Sequence, residues 1–484
     1  MLEPPVAARA DHSTTPPDPL IHRAIGIAGI TGVVYATLVH DVGPGLGWSL
    51  LFLSFVGSLI WMVSRQADRQ TLLLLGAAAV PAALLAVREL PALVALNVVA
   101  FVSLVSIAMG LRRRPGLHRW TVSTLLEELT VNTLGPLVEA PRYLKAGLPE
   151  AGDTTRAVRH RGGSIIIGLG LSAVLVLVFG GLLVSADAVF EGWAERLFQW
   201  TGELAELAGR LLSAAVVAWL ALGAIARFRQ PRLPRAATAV EMKLQAPVVL
   251  MPLLTMNVMF SVFVAIQFAY LFGGADTVAR TRLTYAEYAR RGFFELVAVA
   301  ALIVGVILLA DWASRHLTRR RPIVAASQML IALTLAIGTA AVRRMLLYVD
   351  EFGLSQLRVY TTTFLIWVGF VLIWLAFTVL RGKRGRFVIG TVASAFVLTV
   401  GLNLAHPAAL IANVNLDRSV AGNDLDVGYL VDLGPGAVPT LEARVASVPD
   451  PIDRALLQGR LAQPRGESDW RSLTLDDLAA RTGS

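Results

Sequence analysis

Long runs of apolar residues recur along the chain, and polar or basic connections separate them. Most runs are about 18 to 25 residues long, which lets a helix cross a hydrocarbon core of about 30 Å. Because no water reaches the backbone inside that core, each run is predicted to be a helix that satisfies its own hydrogen bonds. The eleven predicted spans cover residues 23–40, 46–63, 71–87, 91–111, 164–184, 208–226, 248–273, 293–311, 323–342, 359–380 and 387–405, the third being short and interrupted by Pro81.

The spacing of these spans divides the chain into five predicted parts. Residues 1–22, rich in Pro and Asp, are predicted to be a disordered tail. Residues 23–111 hold about four spans, 112–163 form a basic cytoplasmic connection with an interfacial helix, and 164–405 form the main membrane domain with about seven spans. Residues 406–484 have the composition of a soluble α-helical tail. The predicted fold class is all-α, a polytopic transmembrane helical bundle with a small helical C-terminal tail.

Two connections are predicted to contain short amphipathic helices. In "TVSTLLEELT" (residues 121–130) the apolar residues fall on one helical face, away from Glu127 and Glu128. In "SADAVFEGWAERLFQW" (residues 185–200) Phe and Trp form a similar stripe. Either segment fits a helix lying in the membrane interface or a helix packed against the bundle. In the tail, Asp450 before Pro451 predicts the start of a helix.

Charge sets the predicted orientation. Only 16% of the 484 residues are charged, and the basic residues behind the net charge of +9 fall between the apolar runs. With a cytoplasmic N-terminus, 24 Lys and Arg residues fall on inner connections and 10 on outer ones. This bias predicts a cytoplasmic N-terminus and an exterior C-terminal tail, provided that all eleven spans are real. The basic loop "LRRRPGLHRW" (residues 111–120) also predicts contact with anionic lipid.

The sequence lacks the signatures of several function classes. There is no cysteine, which excludes disulfides, thiolate metal sites and cysteine nucleophiles. The motifs H-E-x-x-H, G-x-S-x-G and the Walker A loop do not occur, and the seven histidines form no pair at metal-ligand spacing. We therefore predict no metal and no cofactor. Nucleic acid is not a predicted partner, because the basic residues form no recognition surface with interleaved aromatic residues.

The stretch "YAEYARRGFFEL" (residues 285–296) places polar side chains directly against an apolar run. Glu287, Arg291 and Glu295 share one helical face, and Tyr285 and Tyr288 fit an interfacial aromatic belt. One interpretation is a structural collar where a helix enters the membrane. The other is a functional site around Glu295, which lies inside the apolar run and is predicted to face the bundle.

Polar residues within other spans allow two interpretations. In "TMNVMFSVFVAIQFAYLFGG" (residues 255–274), Asn257 lies on one helical face and Gln267 and Tyr270 lie on an adjacent one. Such side chains commonly hold helices together through hydrogen bonds. A polar lining near Tyr270 that faces Glu295 is the alternative. Asn97, Gln328 and Asn403 are predicted to be interhelical hydrogen-bonding residues.

Several segments together resemble an uncharacterised family of bacterial multi-pass membrane proteins, a domain of unknown function. They are "GGLLVSADAVF", "NVMFSVFVAIQFAYLFGG", "YAEYARRGFFEL", "NVNLDRS" and "LDVGYLVDLGPGAVPTL". The similarity spans about residues 165–445. The resemblance implies a polytopic inner-membrane protein and implies no activity.

Three functional hypotheses follow. The first is a transporter or permease-like protein that moves a small solute or ion through a cavity near Glu295, Gln267 and Tyr270. The second is a membrane sensor or assembly scaffold without catalytic activity, in which the tail supplies a surface for docking. The third is an envelope enzyme that acts on lipid-linked substrates, which would require an outward cleft with converging acidic residues.

Overall fold

The structure is a computed structural model that describes residues 20–64, 67–147, 202–229, 244–272, 293–463 and 469–482. In these ranges the chain is helical, with short turns and no β-strand. The predicted disordered tail up to residue 19, the predicted span at 164–184 and the predicted helix at 185–200 lie outside the described residues. The helices are α1 Ile21–Leu38, α2 Leu46–Val63, α3 Arg69–Leu84, α4 Pro91–Arg113, α5 Val122–Leu134, α6 Pro136–Gly147, α7 Gly202–Arg229, α8 Ala246–Phe272, α9 Phe293–Ala313, α10 Arg321–Phe352, α11 Gln356–Thr378, α12 Arg384–Leu404, α13 Pro407–Val420, α14 Val427–Asp432, α15 Val438–Arg444, α16 Pro451–Leu461 and α17 Leu475–Thr482.

The apolar runs of the sequence form the long helices. Nine helices among the described residues are long and apolar enough to cross a membrane, and α3 is a shorter apolar helix. Ten of the eleven predicted spans coincide with one of these helices, so the all-α membrane bundle is confirmed. Some helices are longer than their predicted spans, above all α10, which continues past residue 342 to Phe352.

Local signals place several helix ends. Asp68 precedes α3, and its side chain accepts a hydrogen bond from the Thr71 N–H at 3.1 Å. Pro91 occupies the first turn of α4, where its missing N–H costs no hydrogen bond. Asp450 caps α16 by accepting from the Ile452 N–H at 2.7 Å, which confirms the predicted helix start.

The chain packs as two units, of which the first comprises Met1–His40 and Thr130–Gln230. In this unit α1 packs so closely on α7 that a Cβ on Gly32 would lie 2.7 Å from the Ala214 carbonyl oxygen. The buried Arg227 of α7 donates two hydrogen bonds to Asn132 Oδ1, at 3.2 and 3.1 Å. Arg227 also lies 3.4 Å from the carboxylate of Glu139. These contacts join α7 to the connection that follows the fourth span.

The second unit comprises Asp41–Leu129 and Pro231–Ser484. Its membrane core is formed by α8 to α11, where side chains such as Ile303, Leu330 and Leu372 are fully buried. The tail helices α13 to α16 form a second core with the start of α4, in which Leu93 packs among Ile411 and Leu430. The helical tail is therefore confirmed, and it is an extension of the bundle with which it shares a core. Helix α17 was not predicted.

The amphipathic helix predicted at residues 121–130 is confirmed as α5. Val122, Leu125 and Leu129 pack against a buried cluster that contains Ile107 of α4, so this part of the helix is packed on the bundle. One carboxylate of the polar face is buried. Glu128 is 1% exposed, and its carboxylate lies 3.3 Å from Arg114.

Candidate functional site

Most of the site predicted around Glu295 lies outside the described residues. This is true of Tyr285, Glu287, Tyr288 and Arg291, and of the side chain of Tyr270. Glu295 itself lies in the first turn of α9 with an exposed side chain. The segment directly before α9, residues 273–292, lies outside the described residues, so the expectation that this carboxylate faces the bundle stays a prediction.

Asn257 and Gln267 both join α8 to α10. Asn257 Nδ2 donates to the Ala326 carbonyl oxygen of α10 at 2.9 Å and to the Leu253 carbonyl oxygen of its own helix at 2.8 Å. Near the other end of α8, Gln267 Oε1 accepts a hydrogen bond from Arg344. Both side chains thus form hydrogen bonds between helices, in agreement with the first of the two interpretations. Arg344 was missed as a partner because it lies beyond the predicted end of its span.

Asn97 and Asn403 form a buried pair between α4 and α12. Asn97 Nδ2 donates to Asn403 Oδ1 at 3.2 Å, and Asn403 Nδ2 donates back to Asn97 Oδ1 at 3.0 Å. Their predicted role as interhelical hydrogen-bonding residues is confirmed, and each is the partner of the other. Gln328, which carried the same prediction, is exposed on α10.

A polar cavity lies where the tail meets the turn between α10 and α11. Gly353 ends α10 with a φ of 76°, a conformation that favours glycine. Asn415 of α13 binds both backbone polar groups of the next residue, Leu354. Its Oδ1 accepts from the Leu354 N–H at 2.8 Å, and its Nδ2 donates to the Leu354 carbonyl oxygen at 2.9 Å. The tail side chain thereby fixes the path of the turn.

Two arginines satisfy the exposed carbonyl groups at the end of α10. Arg418 of the tail donates to the carbonyl oxygens of Asp350 at 3.0 Å and Glu351 at 2.6 Å. Arg358 of α11 donates to the Phe352 carbonyl oxygen at 3.0 Å. Cations are favourable here because the carbonyl end of a helix carries partial negative charge.

The cavity enclosed by these groups has a volume of about 220 Å³. It is smaller than the pockets of about 300 to 1,000 Å³ that bind drug-sized molecules, so it suits a small solute. Its walls combine two cations, two carboxylates, an amide, a phenol and a few apolar side chains. The lining residues are Phe352, Leu354, Ser355, Arg358, Asn415, Arg418, Asp424, Leu425, Asp426 and Tyr429.

Tyr429 is the phenol at this cavity. Its hydroxyl accepts a hydrogen bond from the Gln356 N–H at 2.8 Å, which leaves the O–H proton to be donated. Burial raises the pKa of Tyr429 above its ordinary value, so the phenol stays protonated at neutral pH. The side chain of Asp426 positions Tyr429 by accepting from its backbone N–H at 2.9 Å.

Sequence reasoning did not single out this cavity, although the signal was present in the quoted segments. "NVNLDRS" supplies Asn415 and Arg418, and "LDVGYLVDLGPGAVPTL" supplies Asp426 and Tyr429. In the sequence alone, these segments carry only a resemblance. Among the residues that the structure describes, no group of three or more His, Asp or Glu side chains is placed to hold a metal ion.

A comparison with family models matches residues 72–443 to the family described as "Domain of unknown function (DUF4153)". The chain belongs to this family. The DUF4153 match covers more than three quarters of the 484 residues and begins well before residue 165, where the resemblance was expected to start. It includes every residue that lines the cavity. No curated protein and no solved structure matches the chain. DUF4153 membership and the apolar helices together make this an integral multi-pass membrane protein.

Proposed function

We propose that the protein is a bacterial inner-membrane receptor that binds a small polar solute in the cavity between its tail and the turn linking α10 to α11. The observation that carries this proposal is the composition of the cavity. Arg358 and Arg418 offer charge for an anionic group, and Asp424 and Asp426 offer charge for a cationic one. A solute that carries both charges, such as a free amino acid, fits this lining and a volume of about 220 Å³.

The position of the cavity favours a sensing role. Its walls include the turn between two long membrane helices, α10 and α11, and that turn is held by tail side chains such as Asn415. A solute bound there contacts both the tail and the helix ends. Its binding free energy would therefore act on the relative positions of the two helices, as a ligand that prefers one arrangement shifts the population towards it.

The charges of the second unit support an exterior location for this cavity. The start of α4 packs in the tail core through Leu93, whereas its end packs through Ile107 and Leu111 beside the basic loop that follows. The tail and that loop thus lie at opposite ends of α4. Basic connections favour the cytoplasmic side of the membrane. This argument supports an exterior tail and does not depend on the number of spans.

Binding can be tested on the purified full chain in lipid nanodiscs. Thermal unfolding is followed while amino acids, small sugars and dicarboxylates are added, and the dissociation constant of any stabilising solute is then measured by calorimetry. In the Asp424→Asn variant we expect the affinity for a zwitterionic solute to fall by at least tenfold, because a lost charge-assisted contact is worth about 1.5 to 3 kcal/mol. Asp432→Asn removes an exposed carboxylate from α14 outside the cavity and is the matched control. Equal affinities in the two variants would show that this cavity is not the binding site.

The permease hypothesis remains a second proposal on one observation. Gln267 is hydrogen-bonded to the charged Arg344 near the ends of α8 and α10. A cation at a helix interface next to a polar side chain is a common feature of solute paths. Uptake of the identified solute into proteoliposomes distinguishes the two proposals, since a receptor gives binding without accumulation.

A further inference from the structure

At the basic end of the second unit, one buried carboxylate lies among three arginines. The side chain of Asp311, at the end of α9, is 2% exposed. Its carboxylate receives hydrogen bonds from Arg384 Nε at 2.7 Å and Nη2 at 3.0 Å, and from Arg320 Nη2 at 2.5 Å. Arg315 Nε lies 3.7 Å away. Asp311 is thereby well paired, and the group of four side chains keeps a formal charge of +2.

The arginines remain accessible on their outer side. Between 26% and 36% of each of the three side chains is exposed to solvent, whereas the carboxylate beneath them is buried. Burial, followed by the neighbouring charge of Arg384, lowers the pKa of Arg315, and Arg320 acts in the same direction. The positive charges therefore repel one another, and Asp311 compensates them only in part. An added anion would relieve that repulsion.

Two helix N-termini add to the positive potential. Arg320 is the residue before α10 and Lys383 is the residue before α12, and neither helix start has a side-chain cap. Unpaired N–H groups at a helix start carry partial positive charge and bind phosphate groups readily. The contact of Arg320 and Arg384 with one carboxylate brings the beginnings of these two long helices to the same cluster.

The surrounding connections contain no acidic residue. Residues 315–321 and 381–386 together carry eight Arg and Lys side chains and no Asp or Glu. The cluster lies where three membrane helices, α9, α10 and α12, begin or end. That depth corresponds to the polar headgroup layer, which adds roughly 10 to 15 Å to the hydrocarbon core of a bilayer.

We propose that Arg315, Arg320 and Arg384, oriented by Asp311, form a binding site for a phosphate group at the cytoplasmic membrane surface. Arginine suits this ligand because its planar guanidinium donates paired hydrogen bonds to phosphate oxygens. The phosphate has two sources, the headgroup of an anionic phospholipid or a soluble phosphate. The depth of the cluster makes the lipid the expected source. This inference does not depend on the solute cavity at the tail.

The test titrates the detergent-purified full chain with phosphatidylglycerol, with phosphatidylcholine and with inorganic phosphate, and follows thermal unfolding. We expect phosphatidylglycerol to raise the unfolding temperature at concentrations where phosphatidylcholine does not. Stabilisation by inorganic phosphate without lipid supports the phosphate site and identifies a soluble source. Equal responses to phosphatidylglycerol and phosphatidylcholine, with none to inorganic phosphate, would overturn the proposal.

Two variants locate the site. Arg315→Gln leaves Asp311 with its two closer arginines. We expect the apparent affinity for phosphatidylglycerol to fall about fivefold, which is the contribution of one basic residue near an anionic membrane surface. Arg460→Gln removes an exposed arginine from the tail helix α16 and is the matched control. If both variants lose affinity equally, the effect is one of net charge and the assignment is wrong.

Asp311→Asn separates ligand binding from a purely structural ion pair. Whether the cluster binds phosphate or is only a structural ion pair, the lipid-free variant should be less stable than the original chain, because three arginines lose their carboxylate. A phosphate site predicts that phosphatidylglycerol then stabilises the variant by a larger temperature shift than the original chain, since the cluster charge rises from +2 to +3. A shift that is equal or smaller would contradict the proposal.

Discussion

The Asn97–Asn403 pair gives a direct test of how polar side chains hold this bundle together. Both amides are buried, at 0% and 1% exposure, and they exchange two hydrogen bonds between α4 and α12. Asn97→Ala removes both bonds and leaves the Asn403 amide with the Thr399 carbonyl of its own helix. Interhelical hydrogen bonds of this kind average about 0.6 kcal/mol, with a maximum near 1.7. The single substitution should therefore lower the free energy of unfolding by about 1 to 2 kcal/mol.

A double-mutant cycle isolates the interaction between the two side chains. We expect Asn403→Ala to cost about as much as Asn97→Ala, and the double variant to cost about 1 kcal/mol less than the sum of the two. Unfolding is followed by tryptophan fluorescence as sodium dodecyl sulfate is added to mixed micelles. Combining Asn97→Ala with Thr339→Ala is the control, because Thr339 is exposed and bonds a carbonyl of its own helix. Additive costs for the Asn pair would refute the claim that the two amides stabilise each other.

Three further predictions concern the tail and the turn that it contacts. Burial and the nearby carboxylates of Asp477 and Asp476 raise the pKa of Glu89, so its ionisation opposes folding as pH rises through that pKa. Glu89→Gln should therefore stabilise the protein at pH 7 and have no effect below about pH 4, as measured by chemical unfolding at both pH values. Gly353→Ala should cost about 1 to 3 kcal/mol, because its positive φ strains any Cβ-bearing residue; an unfolding temperature equal to that of the original chain would contradict this. Asp450→Ala should cost about 1 kcal/mol by removing the cap of α16, with faster hydrogen exchange confined to that helix.

The membrane helices could be predicted because bilayer thickness imposes a length on every span. The predicted span 91–111 becomes Pro91–Arg113, and its limits are set by a proline and by two arginines that no longer fit the hydrocarbon core. The same reasoning fails where a helix leaves the membrane. Arg343 and Arg344 lower the hydropathy and ended the predicted span at 342, yet arginine is a good helix former. Helix α10 therefore continues to Phe352 and reaches a length of about 48 Å.

The candidate site could not be predicted because its contacts are distant in sequence. Asn415 and Leu354 are 61 positions apart, and Tyr429 and Gln356 are 73 apart. No local spacing connects such residues, so a pattern search finds only a helical tail. The same limit applies to the membrane interior. Asn97 and Asn403 each look like an isolated polar residue in an apolar run, and only the packing of α4 on α12 makes them a pair.

Helix α10 connects the two proposed sites and determines how they can influence each other. It begins beside Arg320 in the phosphate cluster and ends at Phe352 and Gly353 in the solute cavity. Both of its ends are held by charged side chains, so a shift of the helix along its axis would change contacts at both sites together. Coupling between ligands requires that each binds one position of α10 more tightly than another. Any such coupling is reciprocal, so the factor by which the phosphate ligand changes solute affinity must equal the factor by which the solute changes phosphate affinity.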